Sequence, residues 1–374
     1  MTKLSSSLPL TRRRVLTTAA AGLAGWLARP RSAHARPPSA VRIAAISVAI
    51  KGQTSLRQSP LVSRVIDEGW LEKELAARGI RLEWFPIVGN DTGSVTNEAL
   101  ASGRVDFANY GDFPSLTLNA AGVRTKVVVP SGRGTDMFLL VPRDSGAQTI
   151  KDLIGKRISV HRGRPWDLGL QKLIDGAGLT ANDFKIMNLN PQAGAAALAA
   201  GKVDAHFSIG GHSGAHLLVE NGVGKIIWST EGKPLHYKMR AELWGTQKFI
   251  TEQPELTQLV ANAYVKAAHW ASDEKNKEAV IAIAKLTGAP DKVVRRSYGD
   301  PNLSWKDRWS PLLDEVVREH YRDVVKFALD RKLIRKPIQP EELLESRFLD
   351  TALKTLNLQD HWKPWQVAAV QRIR

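Results

Sequence analysis

Residues 98–112 read EALASGRVDFANYGD, and residues 197–211 read ALAAGKVDAHFSIGG. Aligned on Gly103 and Gly201, both carry small helix-forming residues, a glycine, a basic residue, Val-Asp, an apolar run with an aromatic, and a glycine-containing turn. The 98 positions between the two glycines far exceed the roughly 20 to 50 residues of a solenoid unit. The duplication therefore points to two similar lobes. Each copy reads as a helix ended by a glycine that tolerates the left-handed conformation, then a buried strand, then a tight turn into the next helix.

Outward from the first copy, the pattern alternates. A short apolar run at 41–49 is bounded by Gly52, and Ser59 with Pro60 opens a helix carrying Leu61, Val65, Leu71 and Leu75 until Gly79. Strand 80–86, helix 92–102, strand 105–109, helix 113–121 and strand 125–130 follow. A second round starts at Thr149-Ile150-Lys151-Asp152, a capping-box pattern with a counterpart at Thr180–Asp183. It runs through strand 157–161, helix 165–177, strand 184–188, a helix capped by Asn190 and Pro191 that ends at Gly201, strand 203–209 and helix 213–221. Strictly alternating strands and helices predict an α/β protein of two lobes, each a mostly parallel sheet flanked by helices. Past 225–228 the pattern changes to long amphipathic helices, one opened by Pro254 and one by Ser310-Pro311, and the tail from 337 is expected to wrap back over the first lobe.

The length of 374 residues exceeds the roughly 250 to 300 at which single cores stop growing. Hydrophobic residues at 43% and charged residues at 24% suit a packed globular chain, and zero cysteines exclude disulfides, thiolate metal sites and cysteine nucleophiles. Thr11-Arg12-Arg13-Arg14-Val15-Leu16, a mild apolar run over 15–27 and Ala33-His34-Ala35 match a twin-arginine export signal. The run is short of the roughly 20 residues that span a bilayer. Cleavage after Ala35 is expected to leave a soluble mature chain in the periplasm. The formal charge is +16, but the first 35 residues carry six basic groups and no acidic ones, leaving +10 for the remainder. Those charges alternate with acids, which disfavours nucleic acid as a partner and leaves a mild bias toward anionic ligands.

Over most of 41–329 the chain resembles the periplasmic solute-binding proteins of ABC importers, in the group that binds aliphatic sulfonates, taurine and nitrate. The resemblance is carried by EALASGRVDF at 98–107, the turn Gly111-Asp112-Phe113-Pro114, TIKDLIGK at 149–156 and AAALAAGKVDA at 195–205. It implies a type II-like, two-lobe binding protein with a ligand cleft between the lobes. Its parts would be an export signal at 1–35, lobe 1 from 36–130 and 236–374, and lobe 2 from 131–235, with crossings near 130–141 and 228–247. It further implies a monomer that delivers a small anionic organic solute to an ABC permease, with no cofactor, no metal and no catalysis.

Ligands of open α/β sheets sit beyond the carboxyl ends of strands, where helix N-termini present unpaired amides that favour anions. Four stretches qualify: Gln53, Thr54 and Ser55 after the first strand; Asn90, Asp91 and Thr92; Gly111, Asp112 and Phe113; and Arg162, Gly163, Arg164 and Trp166. Arg162 or Arg164 would supply countercharge and Trp166 would pack on an organic tail. Solvated arginines, a core Trp166 and an Asp112 that merely caps its helix are the competing readings. In the second copy's turn, Gly211 and His212 replace the bulkier residues common in the resembling family, leaving room for a larger solute and a hydrogen bond from His212. Sulfonate or sulfate ester ranks first, then nitrate, then a pyrimidine. A serine hydrolase is the rival, since Gly211-His212-Ser213-Gly214-Ala215 nearly matches G-x-S-x-G but lacks its last glycine. The pair His212 and His216 has helical spacing for a metal but no third ligand nearby.

Overall fold

A computed structural model describes residues 37–366 apart from 51–52, 57–58, 89–91, 211–213 and 301. The first lobe begins with β1 (Ala40–Ile46), the hairpin strands β2 (Val48–Ile50) and β3 (Gln53–Ser55), α1 (Pro60–Glu68) and α2 (Trp70–Ala76). It continues through β4 (Arg81–Ile87), α3 (Thr92–Ala101), β5 (Phe107–Gly111), α4 (Asp112–Ala120) and β6 (Thr125–Val129). The second lobe holds β7 (Met137–Pro142), β8 (Arg157–Val160), α5 (Pro165–Gly176), β9 (Lys185–Asn188), α6 (Pro191–Ala199), β10 (Ala205–Ile209), α7 (Ala215–Glu220) and β11 (Gly224–Ser229). The chain then returns with β12 (Ala241–Thr246), α8 (Gln247–Glu252) and α9 (Pro254–Ser272). It ends with α10 (Lys277–Lys285), α11 (Asp291–Ser297), α12 (Trp305–Arg308), α13 (Glu315–Asp330) and α14 (Ser346–Thr355).

The two main sheets have strand orders β4-β1-β5-β12-β6 and β11-β7-β10-β8-β9. In each, four strands run the same way and one is reversed: β12 is antiparallel to both its neighbours, and so is β7. Each reversed strand is the first one laid down after the chain crosses between sheets. It enters from the crossing end, so it must run against strands that reach that end only at their finish. The two-lobed α/β architecture expected from the sequence is thus present, with the reversed strands as its refinement.

The duplicated phrase has a duplicated structural job. In the first lobe Asp106 Oδ2 accepts the backbone N–H of Arg42 at 2.9 Å, while Arg42 Nη1 donates to the carbonyl of Gly103 at 2.9 Å. In the second, Asp204 Oδ2 accepts the backbone N–H of Arg157 at 2.8 Å, and Arg157 Nη2 donates to the carbonyl of Gly201 at 3.1 Å. Gly103 and Gly201 have φ of +69° and +63°, a region costly for a residue with a Cβ. Each copy therefore clips a helix end to the start of the neighbouring parallel strand. The Asp204 carboxyl is held at about 2 by its hydrogen bonds to Arg157.

Other expectations shift. The helix expected to run from Pro60 to Gly79 breaks at Gly69, whose φ is +64°. The helix expected from Ser310-Pro311 begins at Glu315, because Ser310 is fully buried and its hydroxyl accepts from Arg133 at 3.0 Å. The crossings shrink to 130–136 and 230–240, since β7 and β12 occupy the rest. In β7, Met137, Leu139 and Val141 join one core while Phe138 and Leu140 join another; burial on both faces makes the run continuously apolar rather than alternating. The tail does pack on the first lobe, α14 against α9 and β6. The C-terminal helices also reach the second lobe, through Lys172 with Asp323, Arg331 with Asp175, and His216 Nδ1 with Ser297 Oγ at 3.1 Å. Among the described residues no helix is long and apolar enough to cross a membrane.

Two buried histidines give the second lobe a pH dependence. His206 is 1% exposed and bonded to Ser159 Oγ at 2.9 Å, and burial pushes its pKa down to about 4; burial does the same to His216. Both rings stay neutral in the folded chain at a pH where the unfolded rings, near about 6.5, already take up protons. Their contribution is complete above that value and is lost as pH falls toward 4, by up to about 3 kcal/mol for each ring. The urea midpoint should therefore drop between pH 7 and pH 4.5. A midpoint that holds steady over that interval contradicts neutral buried rings.

Candidate functional site

Three helix starts converge between the lobes. Thr92 begins α3, Gly111 precedes α4, and Arg164 precedes α5 with Pro165 at its first position, where a missing N–H costs nothing. Arg164 reaches from the second lobe to donate to Thr92 Oγ1 in the first. Its guanidinium carbon lies 5.2 Å from the ring centre of Trp166, and the His161 ring stands 6.2 Å from that same indole. Trp166 lies in the second lobe's hydrophobic core at 6% exposure rather than as an open wall for an organic tail, and its Nε1 has no hydrogen-bond partner among the described residues. This contact presents a cation, a hydroxyl and a buried N–H donor within one junction.

Gly111 shows how closely the lobes meet. A Cβ there would sit 2.6 Å from Pro165 Cγ of the other lobe, while the backbone itself, φ −69° and ψ 155°, accepts any residue. Gly111→Ala should therefore leave folding nearly intact and wedge the two lobes apart. A thermal melt beside small-angle X-ray scattering checks both: the melting point should hold while the radius of gyration rises, and an unchanged radius means that the lobes do not meet at Gly111.

The other expected residues fall in different places. Asp112 is 2% exposed and faces inward: Oδ1 accepts from Phe113 N at 2.5 Å, and Oδ2 meets Arg240 N at 3.0 Å and His320 Nε2 at 2.8 Å. Phe113 belongs to the first lobe's core. Arg162 is exposed and Gly163 takes φ +73°, with their N–H groups given to Asn188 and Asp167 as the turn into α5. Burial raises the Asp167 carboxyl. Thr54 is exposed and Ser55 half-buried on β3. Asn90, Asp91, Gly211, His212, Ser213 and the stretch 1–35 expected to be an export signal lie outside the described residues, as does the Gln53 side chain. Among the described residues no group of three or more His, Asp or Glu is arranged to hold a metal.

Sequence reading missed the charged crossings. Lys238 Nζ bonds Asp136 and Asp300, each at 2.6 Å; Arg133 pairs with Asp314 at 2.6 Å; Arg240 pairs with Glu242 and donates to the Gly132 carbonyl at 2.7 Å. Glu242 also accepts the Ser131 N–H at 2.6 Å. Arg133, Lys238, Arg240 and Glu242 are each 1% exposed. A signal was available: Lys238, Arg240 and Glu242 alternate with apolar or small residues, the period of a strand face. Beside them lies a cavity of about 320 Å³ bounded by the carboxyl ends of β1 and β5 and by both crossings.

The family model described as NMT1/THI5 like matches residues 67–278, more than half of the chain. A crystal structure from Methylobacillus flagellatus KT, described as the periplasmic sulfonate-binding protein SsuA of a sulfonate ABC transporter, is 40% identical; the match covers 88% of this chain and 98% of that one with a TM-score of 0.77. A Bacillus subtilis (strain 168) protein named for aliphatic sulfonate binding is 28% identical over 77% of this chain and 83% of its own. The desulfurization enzyme DSZB, solved as a mutant in complex with biphenyl-2-sulfinic acid, is 17% identical with a TM-score of 0.62 over 85% of this chain and 100% of that one; a likeness at that level shows the fold alone.

Proposed function

Because this chain belongs to the NMT1/THI5-like family and joins its lobes through an arginine at a helix start, we propose that it is the solute-binding component of an ABC importer, capturing a small organic sulfonate or sulfate ester. The observation that carries the reading is the junction of Arg164, Thr92 and Trp166. A sulfonate between them gains a charged hydrogen bond from Arg164, the amides and dipole of the α3 start, and a further donor in the Trp166 N–H. The sulfonate-binding relatives support this choice over nitrate or a pyrimidine.

In this reading the solute touches both lobes, residues 36–130 with 236–374 and residues 131–235. It favours the closed form by its differential affinity for it. The closed monomer then delivers the solute to a membrane permease, without turnover or cofactor. Periplasmic relatives support an extracytoplasmic location, with export by the twin-arginine signal as part of the proposal.

Thermal unfolding of the chain from Arg36 onward, against alkyl and aryl sulfonates, sulfate esters, nitrate, pyrimidines and ester substrates, tests it. A sulfonate at a hundredfold excess over its dissociation constant should add about 2.7 kcal/mol of stability. Stabilisation by nitrate or a pyrimidine alone overturns the sulfonate assignment, and ester cleavage abolished by Ser213→Ala overturns the transport reading.

A further inference from the structure

The cavity between the crossings is distinct from the Arg164 junction: Thr92, Gly93, Gly111, Arg164 and Trp166 do not line it. Its lining gathers polar donors that the fold does not use. Arg240 Nη1, Arg133 Nε, Trp309 Nε1 and the Tyr110 hydroxyl are buried without a hydrogen-bond partner among the described residues, and each of the four side chains is more than nine-tenths buried. Buried donors without acceptors are costly, so several of them around one cavity call for an acceptor inside it. Arg308 adds a third guanidinium. Its Nη2 donates to the Tyr298 carbonyl at 2.8 Å and its Nε is buried without a partner. No carboxylate of the described residues lies within ion-pair distance of it.

Charge points the same way. Arg133, Arg240 and Arg308 line the cavity with Asp136 and Glu242; Asp314 pairs with Arg133, Glu242 with Arg240 and Asp136 with Lys238, which leaves Arg308 without a carboxylate partner among the described residues. Burial weakens the protonated form of both Arg133 and Arg308, which marks them as poorly solvated. The rest of the wall is apolar, from Ile46, Pro60 and Val62 on one side to Tyr298 and Trp309 on the other. About 320 Å³ is at the small end of ligand pockets.

We propose that this hinge cavity is a second binding site, taking one small organic monoanion with its oxyanion head among Arg240, Arg308 and the Trp309 N–H and its short tail against Ile46 and Val62. Both crossings contribute to the lining, so an occupant bridges the segments about which the lobes would turn. The site stands whether or not the junction at Arg164 binds solute. Its head chemistry is shared by sulfonates and carboxylates.

Calorimetric titration of the chain with ethanesulfonate, propionate and nitrate tests the proposal, in the wild type and in Arg308→Gln, Trp309→Phe and Arg164→Ala. Arg308 has no carboxylate partner among the described residues, so its replacement strands no buried charge; Trp309→Phe keeps the ring and removes only the N–H. The expected result is an ethanesulfonate or propionate site, separate from the junction's sulfonate site, that Arg308→Gln weakens at least tenfold and Trp309→Phe weakens less, while Arg164→Ala weakens only the junction site. Binding of propionate alone assigns the site to carboxylates, and binding of both assigns it to the shared head. Full affinity and stoichiometry in both hinge variants overturns the proposal, as does nitrate binding as tightly as ethanesulfonate. Loss of binding in Arg164→Ala alone also overturns it and leaves the junction reading standing; loss only in the hinge variants does the reverse.

Discussion

Lys238→Met is expected to destabilise the folded chain by about 3–5 kcal/mol, the usual cost of stranding buried charge. Lys238 is 1% exposed and its ammonium lies 2.6 Å from carboxylate oxygens of both Asp136 and Asp300. The methionine fills the space but leaves two carboxylates facing each other in a poorly solvated site. Burial by itself would raise the Asp300 carboxyl; the hydrogen bond from Lys238 and the N–H of Asn302 outweigh it and hold it below its ordinary value. The Asp300 contribution is therefore full above the unfolded carboxylate value of about 3.9 and is lost as pH falls below it. Urea unfolding at pH 7 gives the comparison, and adding Asp300→Asn to Lys238→Met should recover part of the loss because the two sites couple. A single variant within about 0.5 kcal/mol of wild type, the range of ordinary surface changes, means that the cluster does not tie the crossings.

Arg164→Ala carries the largest expected effect on binding. A charged hydrogen bond to a buried partner contributes roughly 1.5 to 3 kcal/mol, so sulfonate affinity should fall by roughly 10- to 150-fold. The loss of the arginine's reach to Thr92 also removes a contact between the lobes. Thr92→Val separates the two roles, since it deletes the hydroxyl and keeps the cation: an intermediate loss is expected. Equal affinity in wild type and Arg164→Ala excludes the guanidinium from the site. Arg164→Lys should restore only part of the affinity, because the ammonium lacks the planar fork.

The architecture was legible where local chemistry and fold agree. Gly103 and Gly201 announce two equivalent helix ends, and Asp106 and Asp204, three residues on, supply the clip to Arg42 and Arg157 that makes the phrase recur. Pro165 announced the start of α5 and so placed Arg164 and Trp166 at a helix N-terminus. What was not legible depended on long-range pairing. The apolar run of β7 carries no period because both its faces are buried, and β12 hides a buried glutamate, so neither stretch carries the pattern of a strand. Asp112 has the sequence of a ligand contact or a cap, but His320, 208 positions away, turns its carboxylate inward. Charges at the crossings looked like solvated surface because Asp300 and Asp314 lie far along the chain from their partners Lys238 and Arg133.

Titration of the chain with an alkanesulfonate series, from methyl to octyl, in a sulfonate-free buffer measures the central claim directly. Buffers that are themselves sulfonates would compete for the same groups. Saturable binding is expected, with affinity rising along the series as the tail leaves water and falling at least tenfold in Arg164→Ala. Absence of binding by every sulfonate, with nitrate or a pyrimidine binding instead, contradicts it.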